Sequence, residues 1–448
     1  DSSLLTRIYQ ATHTGKSLVF VNSRARAEQI VAGLQALAEE EKRPGHYYVH
    51  HGSISKEYRL AAEEAMRRPH QPACTVATVT LELGIDLGHL DRVVQVNAPG
   101  SVSSFVQRIG RTGRRGQVGE VLILTERGAA GDDDHPLTRI PWDLLRAVAS
   151  VELYRAEKWV EPVTPPELPL SLLYHQTLSI LVQRGDLAPK ALAEQVLGMP
   201  TLARVGKERY QAFLNHLLRE KHLEWTEIKT LLVGEAAEKI VNHYEFLATF
   251  EDPNEFRVIA GSRTVGTLPS PPPANTQIRL AGRSWSVVDV DAKRRTILVK
   301  PARGKATTTW LGEGPPLHER VAKRMRELLG EETIPVFLDE RAEAELLDAR
   351  RLARELGVLE REVFVDEMGT LIVPWAGTLA YRRLRLHLSA ALGQGSVREV
   401  LPPHALLVAG DARAALAQEI SLAALAAAVR RDELDDLGKY ARYAPEGL

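Results

Sequence analysis

Apolar and polar positions along the first quarter of the chain follow two alternating periods. Residues 18 to 21 (LVFV) form a short, uninterrupted apolar run of the kind that builds a strand buried on both faces. The next stretch places Ile30, Val31, Leu34, Leu37 and Ala38 at helical spacing. A second strand (HYYV), a helix near residues 55 to 68, strands at 74 to 79 and 92 to 98, a helix from Ser101 to Gly110 and the strand VLILT continue the series. Such alternation predicts a parallel sheet with helices on both faces, and ligands then sit at the carboxyl ends of the strands.

Residues 128 to 168 break the pattern. They carry the acid run Asp132, Asp133 and Asp134, then Pro162, Pro165 and Pro166, with Pro169 just beyond; a loop, one helix around Trp142 to Ala156 and a stiff linker are expected. From Leu170 to about Val241 the order is helix, helix, helix and a β-rich tail. The third helix sets Tyr210, Phe213, Leu214, Leu217 and Leu218 on one face, with Lys207, Gln211 and Arg219 away from it. Residues 255 to 310 are short strands (FRVIAG, TVGTL, QIRLAG, SWSVVDV, TILVKPA) broken by Gly, Pro and Asn, which predicts a small barrel or curled sheet. Residues 331 to 448 alternate again, with a charged helix from Asp339 to Leu356, strands EVFV and TLIV, a helix bearing Arg382, Arg383 and Arg385, and an Ala-rich helical end.

The length of 448 residues accommodates roughly three domains. With 57 Lys and Arg against 58 Asp and Glu, the whole molecule carries no electrostatic mark of nucleic-acid binding, so any such function must reside in local patches. The one cysteine, Cys74, excludes an internal disulfide and reads as a buried, inert thiol in an apolar strand. No run of eighteen apolar residues appears, and a soluble, cytoplasmic protein without membrane contact is expected. The chain opens without Met in what reads as the middle of a fold, so a piece of a longer protein is expected.

The densest chemistry lies between Cys74 and Gly116, where ATVT, GID and QRIGRTGRR follow one another. Gly84 lets backbone approach a ligand, and Asp86 offers a carboxylate to a ribose. Arg108, Arg111 and Arg114 stand three residues apart, separated by Gly110 and Gly113; at a helix end this spacing is expected to turn all three guanidinium groups to one side. A guanidinium is permanently charged and forks onto phosphate oxygens, so the cluster suits a polyphosphate; a solvated basic helix is the bland alternative. Downstream, basic residues gather at Lys293, Arg294, Arg295, Lys300, Arg303 and Lys305 and again at Arg320, Lys323, Arg324 and Arg326, suited to a phosphate backbone or simply to solvent. Trp285 alternates with Val287 and is expected in the core, whereas Trp310, in a polar Gly-rich context, is free to stack on an unpaired base.

Several signals lead nowhere. THTGKS carries the end of a phosphate-binding loop, but position 10 is Gln where that loop requires Gly, and the segment precedes a strand. PVFLDERA and EVFVDEMG imitate a magnesium-holding acidic box without an accompanying phosphate loop; the second reads as a hairpin turn. His50 and His51 are adjacent on a strand and face opposite ways, which argues against a shared metal. No metal site is expected.

Residues 16 to 127 resemble the second RecA-like domain of a superfamily 2 helicase, with KSLVFVNSR as motif IV, ATVTLELGID as motif V and QRIGRTGRR as motif VI. LELGIDLGHLDRVVQVNAPGSVSSFVQRIGR most resembles the Lhr (large helicase-related) type, and the likeness continues more weakly to about Leu329. The resemblance implies ATP with Mg2+ between two RecA-like domains, the first of which, with its phosphate-binding loop and acidic box, this chain lacks. By position, Arg111 and Arg114 would stabilise charge on the γ-phosphate, with Arg108 and Gln107 supporting that geometry, and Gly84 and Asp86 would meet the nucleotide. Arg24 and Thr78 would contact the nucleic-acid backbone, with Arg303 and Trp310 adding strand contacts.

The expected fold class is therefore an α/β RecA-like parallel-sheet domain followed by a winged helix and a β-barrel-containing α+β C-terminal region. Its expected segments are 1–130 (second RecA-like domain), 131–168 (linker with one helix), 169–247 (winged helix), 248–330 (small β-barrel-like domain) and 331–448 (α/β region). The expected function is that of the C-terminal part of an ATP-dependent helicase or translocase on single-stranded or tailed DNA or an RNA–DNA hybrid, 3'-5' by resemblance and inactive without its missing lobe. A nucleic-acid-binding module that has lost the motor, and a protein-interaction scaffold whose arginines form internal ion pairs, are the alternatives.

Overall fold

Short runs of β-branched and aromatic residues become the strands of a parallel sheet in the computed structural model, which describes the chain except for residues 1, 44–45, 83–86, 89, 114–118, 127–135, 164–165, 167, 250–254, 303–305, 307–315, 368, 422–423, 426–427, 429–438 and 446–448. The series runs α1 (Ser2–Thr12), β1 (Lys16–Phe20), α2 (Arg24–Glu40), β2 (Tyr47–His50), α3 (Lys56–Arg67), β3 (Ala73–Ala77), β4 (Arg92–Val96), α4 (Val102–Ile109), β5 (Glu120–Leu124) and α5 (Trp142–Glu157). The strand order is β2-β3-β1-β4-β5 with every pair parallel, as the alternating pattern predicts. Hydroxyls start the helices that leave the sheet: Ser23 Oγ accepts the Arg26 N–H at 3.1 Å and Ser101 Oγ the Ser104 N–H at 3.0 Å, each satisfying an otherwise orphaned donor of the first turn.

Next come α6 (Leu170–Arg184), α7 (Pro189–Leu197), α8 (Lys207–Arg219), the antiparallel pair β6 (Leu223–Trp225) and β7 (Leu231–Val233), and α9 (Glu235–Val241). They pack around Leu173, Tyr174, Leu178, Phe213 and Leu217. The face of α8 assigned to the core is buried at Tyr210, Phe213, Leu214 and Leu217. Into this cluster also comes Tyr440 from the end of the chain, stacked on Tyr174 at 5.3 Å. Pro162–Pro253 with Ala426–Leu448 form one compact unit, and Asp1–Glu161 with Asn254–Leu425 form the other.

In that larger unit, β8 (Phe256–Ala260), β9 (Arg263–Leu268), β10 (Gln277–Leu280), β11 (Arg283–Asp291) and β12 (Thr296–Pro301) make a sheet in the order β10-β11-β12-β8-β9, antiparallel except for the parallel β12–β8 pair. Its inner residues Val258, Leu280, Trp285 and Ile297 share a core with Ile30, Val31 and Leu34 of α2. A buried acid locks this contact. Glu28 accepts the N–H of Ala281 at 2.6 Å and of Gly282 at 2.7 Å, and lies 3.0 Å from His51 Nε2. Backbone adds a second joint, since Ser55 N–H donates to Val265 at 2.9 Å and Thr267 N–H to Ser53 at 2.7 Å. Gly266 is needed there because a Cβ would stand 2.2 Å from the Ser53 carbonyl oxygen.

The chain then forms α10 (Glu319–Gly330), α11 (Glu340–Leu356), β13 (Val363–Asp366), β14 (Gly369–Ile372), α12 (Thr378–Leu392), β15 (Val397–Leu401) and β16 (Ala405–Val408), the strands pairing antiparallel in the order β13-β14-β16-β15. α5, expected inside a linker, is instead a core helix: Leu144, Leu145, Val148 and Leu153 pack with Val321, Met325 and Leu328 of α10 and Leu346 of α11. No helix among the described residues is long and apolar enough to cross a membrane.

Candidate functional site

Parallel strands place their carboxyl ends along one edge of the sheet, and the residues expected to carry function follow those ends. After β1 comes Arg24 at the start of α2; its Nη1 donates to Ser53 Oγ at 2.6 Å and to Glu255 Oε1 at 3.1 Å. After β3 the chain tightens into a 3-10 turn, Val79–Leu81, introduced by Thr78, whose N–H donates to the His50 carbonyl at 3.3 Å. Thr80 Oγ1 lies 2.8 Å from His50 Nδ1, and Glu63 Oε1 lies 3.3 Å from its Nε2. Burial lowers the pKa of this imidazole against the opposing pull of Glu63. His50 thus braces the turn that follows Thr78, a residue that is itself only 9% exposed. His51 turns to Glu28 instead, so the two rings part as the strand geometry predicts.

One turn further on, Glu82 gathers the motif VI residues. Its Oε1 accepts from Arg108 Nε at 2.8 Å, Arg108 Nη2 at 2.6 Å and Ser104 Oγ at 2.5 Å. Arg108 also donates to Gln95 Oε1, and its guanidinium lies 4.9 Å from the centre of the Phe20 ring. Arg111, just past the end of α4, donates through Nη2 to the Glu82 carbonyl. One acid therefore fixes one arginine by its carboxylate and the next by its backbone.

Arg108 is only 2% exposed, which departs from the expectation that the three-residue spacing turns all three guanidinium groups to one side. Helix geometry supplies the reason: Val102, Phe105 and Arg108 are three residues apart, and the first two define the buried face of α4. Arg108 follows them inward. Desolvation there lowers its pKa, the Glu82 carboxylate opposes this, and the cation persists as half of a buried pair. Gln107, on the neighbouring face, is half-buried. Gly84, Asp86, Arg114, Arg303 and Trp310 lie outside the described residues.

Other expectations resolve simply. Lys16 does not serve a phosphate loop; its Nζ donates to the carbonyls of Ala65 (3.5 Å) and Met66 at the end of α3, a cation completing a helix C-terminus. Burial pushes the Cys74 thiol up to about 12, as suits an inert core residue. Trp285 is buried with its Nε1 donating to the Leu280 carbonyl at 2.9 Å. The second basic cluster is neutralised: Arg320 pairs with Glu157 and Glu327, Lys323 with Glu319, Arg324 with Glu152, Glu327 and Glu331, and Arg326 with Glu362. It forms the ionic face of α10 and is not an open phosphate track. Asp339 of PVFLDERA caps α11, accepting the Ala342 N–H at 2.8 Å, and VFVD pairs with GTLI as the expected hairpin.

Glu82, Ser104, Gln95 and Glu28 were not singled out from sequence. An acid set between leucines in LELG, or inside the apolar stripe of α2, is the signal that a buried carboxylate with dedicated partners is present.

Residues 2–116 match the family described as helicase conserved C-terminal domain. The chain is 28% identical over 469 aligned residues, 91% of its length, to the Lhr helicase/uracil glycosylase of Escherichia coli (strain K12), of which it covers 28%. Over 99 residues, 22% of the chain and 11% of the relative, it is 40% identical to the ATP-dependent helicase Lhr-Core of Methanothermobacter thermautotrophicus. The chain thus spans under a third of the curated relatives named here. Its fold is similar to that of Mycobacterium smegmatis helicase Lhr, solved with ssDNA and AMP-PNP, at a TM-score of 0.56 and 19% identity, covering 97% of this chain and 54% of that one. Motifs, fold and relatives agree that the chain carries the C-terminal helicase portion of a superfamily 2 helicase of the Lhr type.

Proposed function

We propose that this chain supplies one wall of an ATP cleft and part of the strand track of a helicase or translocase acting on single-stranded DNA. The observation that carries the reading is the Glu82 junction, which holds Arg111 of motif VI and lies four residues beyond Thr78 of motif V. In this reading Arg111 and Arg114 reach across to the γ-phosphate delivered by a first RecA-like domain, and Asp86 and Gly84 meet the ribose. Arg108 is their internal strut and touches no phosphate. Bound ATP with Mg2+ supplies the phosphoryl bond; the arginines here orient toward it and offset charge as it breaks, and positioned guanidinium groups of this kind are worth about 10³ to 10⁵ in turnover.

Thr78, Arg24, Trp310 and Arg303 contact the strand in this reading, in the 3'-5' sense the family implies. Leu170–Val233, with the three helices α6 to α8 and a two-stranded wing, acts as a winged helix. A change in nucleotide state shifts motif VI, and Glu82 conveys that shift to the turn bearing Thr78. Without the first lobe this chain does not turn over ATP.

The test is Arg111→Ala in the protein carrying both RecA-like domains. ATP turnover should fall by about 10³ or more while oligonucleotide affinity stays within about twofold. Retained turnover refutes the assignment. The internal pairing of Arg108 and of the α10 arginines favours a scaffold as the second reading; a scaffold binds no labelled oligonucleotide at any salt concentration.

A further inference from the structure

The smaller unit contains a basic concavity of about 500 Å³ that the motor reading leaves unused. His216 and Arg219 on the last turn of α8 form one wall, Glu220 and His222 follow them, and Arg442 and Tyr443 from the end of the chain form the other. The second wall is firmly placed. Tyr440 N–H donates to Ser171 Oγ at 3.0 Å, Lys439 Nζ donates to the Glu245 carbonyl at 2.8 Å, and Tyr443 stacks on Tyr174 at 4.8 Å. Tyr174 Oη in turn lies 2.7 Å from His222 Nδ1, whose ring centre is 4.8 Å from that of Tyr443.

Charge is unbalanced here. Two guanidinium groups share the pocket with Glu220, the one carboxylate among the described lining residues, and burial lowers the pKa of the His222 ring beside them. On α10, by contrast, each cation named above has an acidic partner. Nor do these cations serve to cap α8: the carbonyls of His216, Leu217 and Leu218 already accept the N–H groups of Glu220, His222 and Lys221 at 3.0, 2.8 and 3.2 Å. A helix C-terminus by itself disfavours an anion, so a site here depends wholly on the side-chain cations, and two arginines from distant parts of the chain converge to provide them. The Arg442 guanidinium lies over the Tyr443 ring, 5.1 Å from its centre.

We propose that this pocket binds a backbone phosphate of a nucleic-acid strand, with Arg219 and Arg442 as the charged contacts. The choice of a strand over another phosphate ester rests on the function proposed above. Such a contact positions a strand without reading its sequence.

The experiment uses the 448-residue chain and a fluorescein-labelled dT20 oligonucleotide, with anisotropy measured from 50 to 300 mM salt. Arg219→Glu/Arg442→Glu should weaken binding at least tenfold and make the slope of log K against log salt shallower by roughly one to two. Arg219→Lys/Arg442→Lys, which keeps the charge, should retain the slope. An unchanged affinity and slope in the folded Glu variant overturns the pocket while leaving the motor reading intact; a wild-type chain that binds no oligonucleotide overturns the strand reading itself. Full displacement of dT20 by millimolar dTMP assigns the pocket to free nucleotide and overturns the strand contact.

Discussion

Replacing Glu82 by Gln tests the junction directly. The substitution keeps the shape of the side chain but removes the charge that faces the Arg108 Nε and Nη2 at 2.8 and 2.6 Å. Both groups are buried, so the arginine is left as an uncompensated cation, a change that costs about 3 to 5 kcal/mol in buried pairs. Arg108 keeps its bond to Gln95 and its place over Phe20, which favours the lower end, about 3 kcal/mol. Urea unfolding followed by tryptophan fluorescence suits the measurement, because every tryptophan except Trp225 belongs to the unit that contains Glu82. Adding Arg108→Met, which removes the orphaned charge, should recover part of the loss, with a coupling of at least about 1 kcal/mol in the double-mutant cycle. In the complete helicase, Glu82→Gln should lower turnover more than nucleotide affinity, since it disturbs the support of Arg111. A stability change below about 0.5 kcal/mol, or additive effects in the cycle, would show that Glu82 is not the junction described.

Three further outcomes follow from the geometry. Glu28→Ala strips the acceptor from the Ala281 and Gly282 N–H groups and should cost about 2 to 6 kcal/mol at roughly 1 to 3 per orphaned donor, read by urea unfolding; a cost under 1 kcal/mol would mean that the clamp contributes little. Gly266→Val should open the backbone joint to Ser53, seen as faster amide exchange of Ser55 and Thr267 with unchanged exchange in β1, and normal protection of both amides would contradict it. His404 stacks on Trp142 at 4.3 Å, and burial, aided by Arg146, holds its pKa down to about 3. The unfolded chain takes up that proton near pH 6.5, so the stabilising contribution is complete above about 6.5 and is lost as pH falls toward 3, by roughly 2 to 3 kcal/mol at pH 4.5. His404→Phe should flatten this part of a thermal-melt pH series; an unaltered slope would assign the acid sensitivity elsewhere.

The parallel sheet was legible because each of its strands is short, apolar and bounded by helical spacing, and the core faces of α2 and α8 followed from periodicity alone. Partnership between distant segments was not legible. Ile30 and Val31 announce a buried face but not that the cover is a sheet beginning at Phe256, and the acid at Glu28 finds its partners more than 250 positions later. The inward turn of Arg108 could have been read from its spacing to Phe105 and Val102, had the pull of a three-arginine motif not outweighed the periodicity of the apolar face. Nor could an Ala-rich end disclose that Tyr440 and Tyr443 return to Tyr174, because two aromatic residues name no partner.

The common core of α2 and the sheet from Phe256 to Pro301 has a practical consequence. A protease that nicks the chain anywhere between Glu161 and Asn254 severs the peptide link, yet the Glu28 clamp, the Ser53 to Ser55 ladder and the apolar contact do not depend on that link. The two fragments should therefore co-elute from a sizing column under native conditions and part only in denaturant.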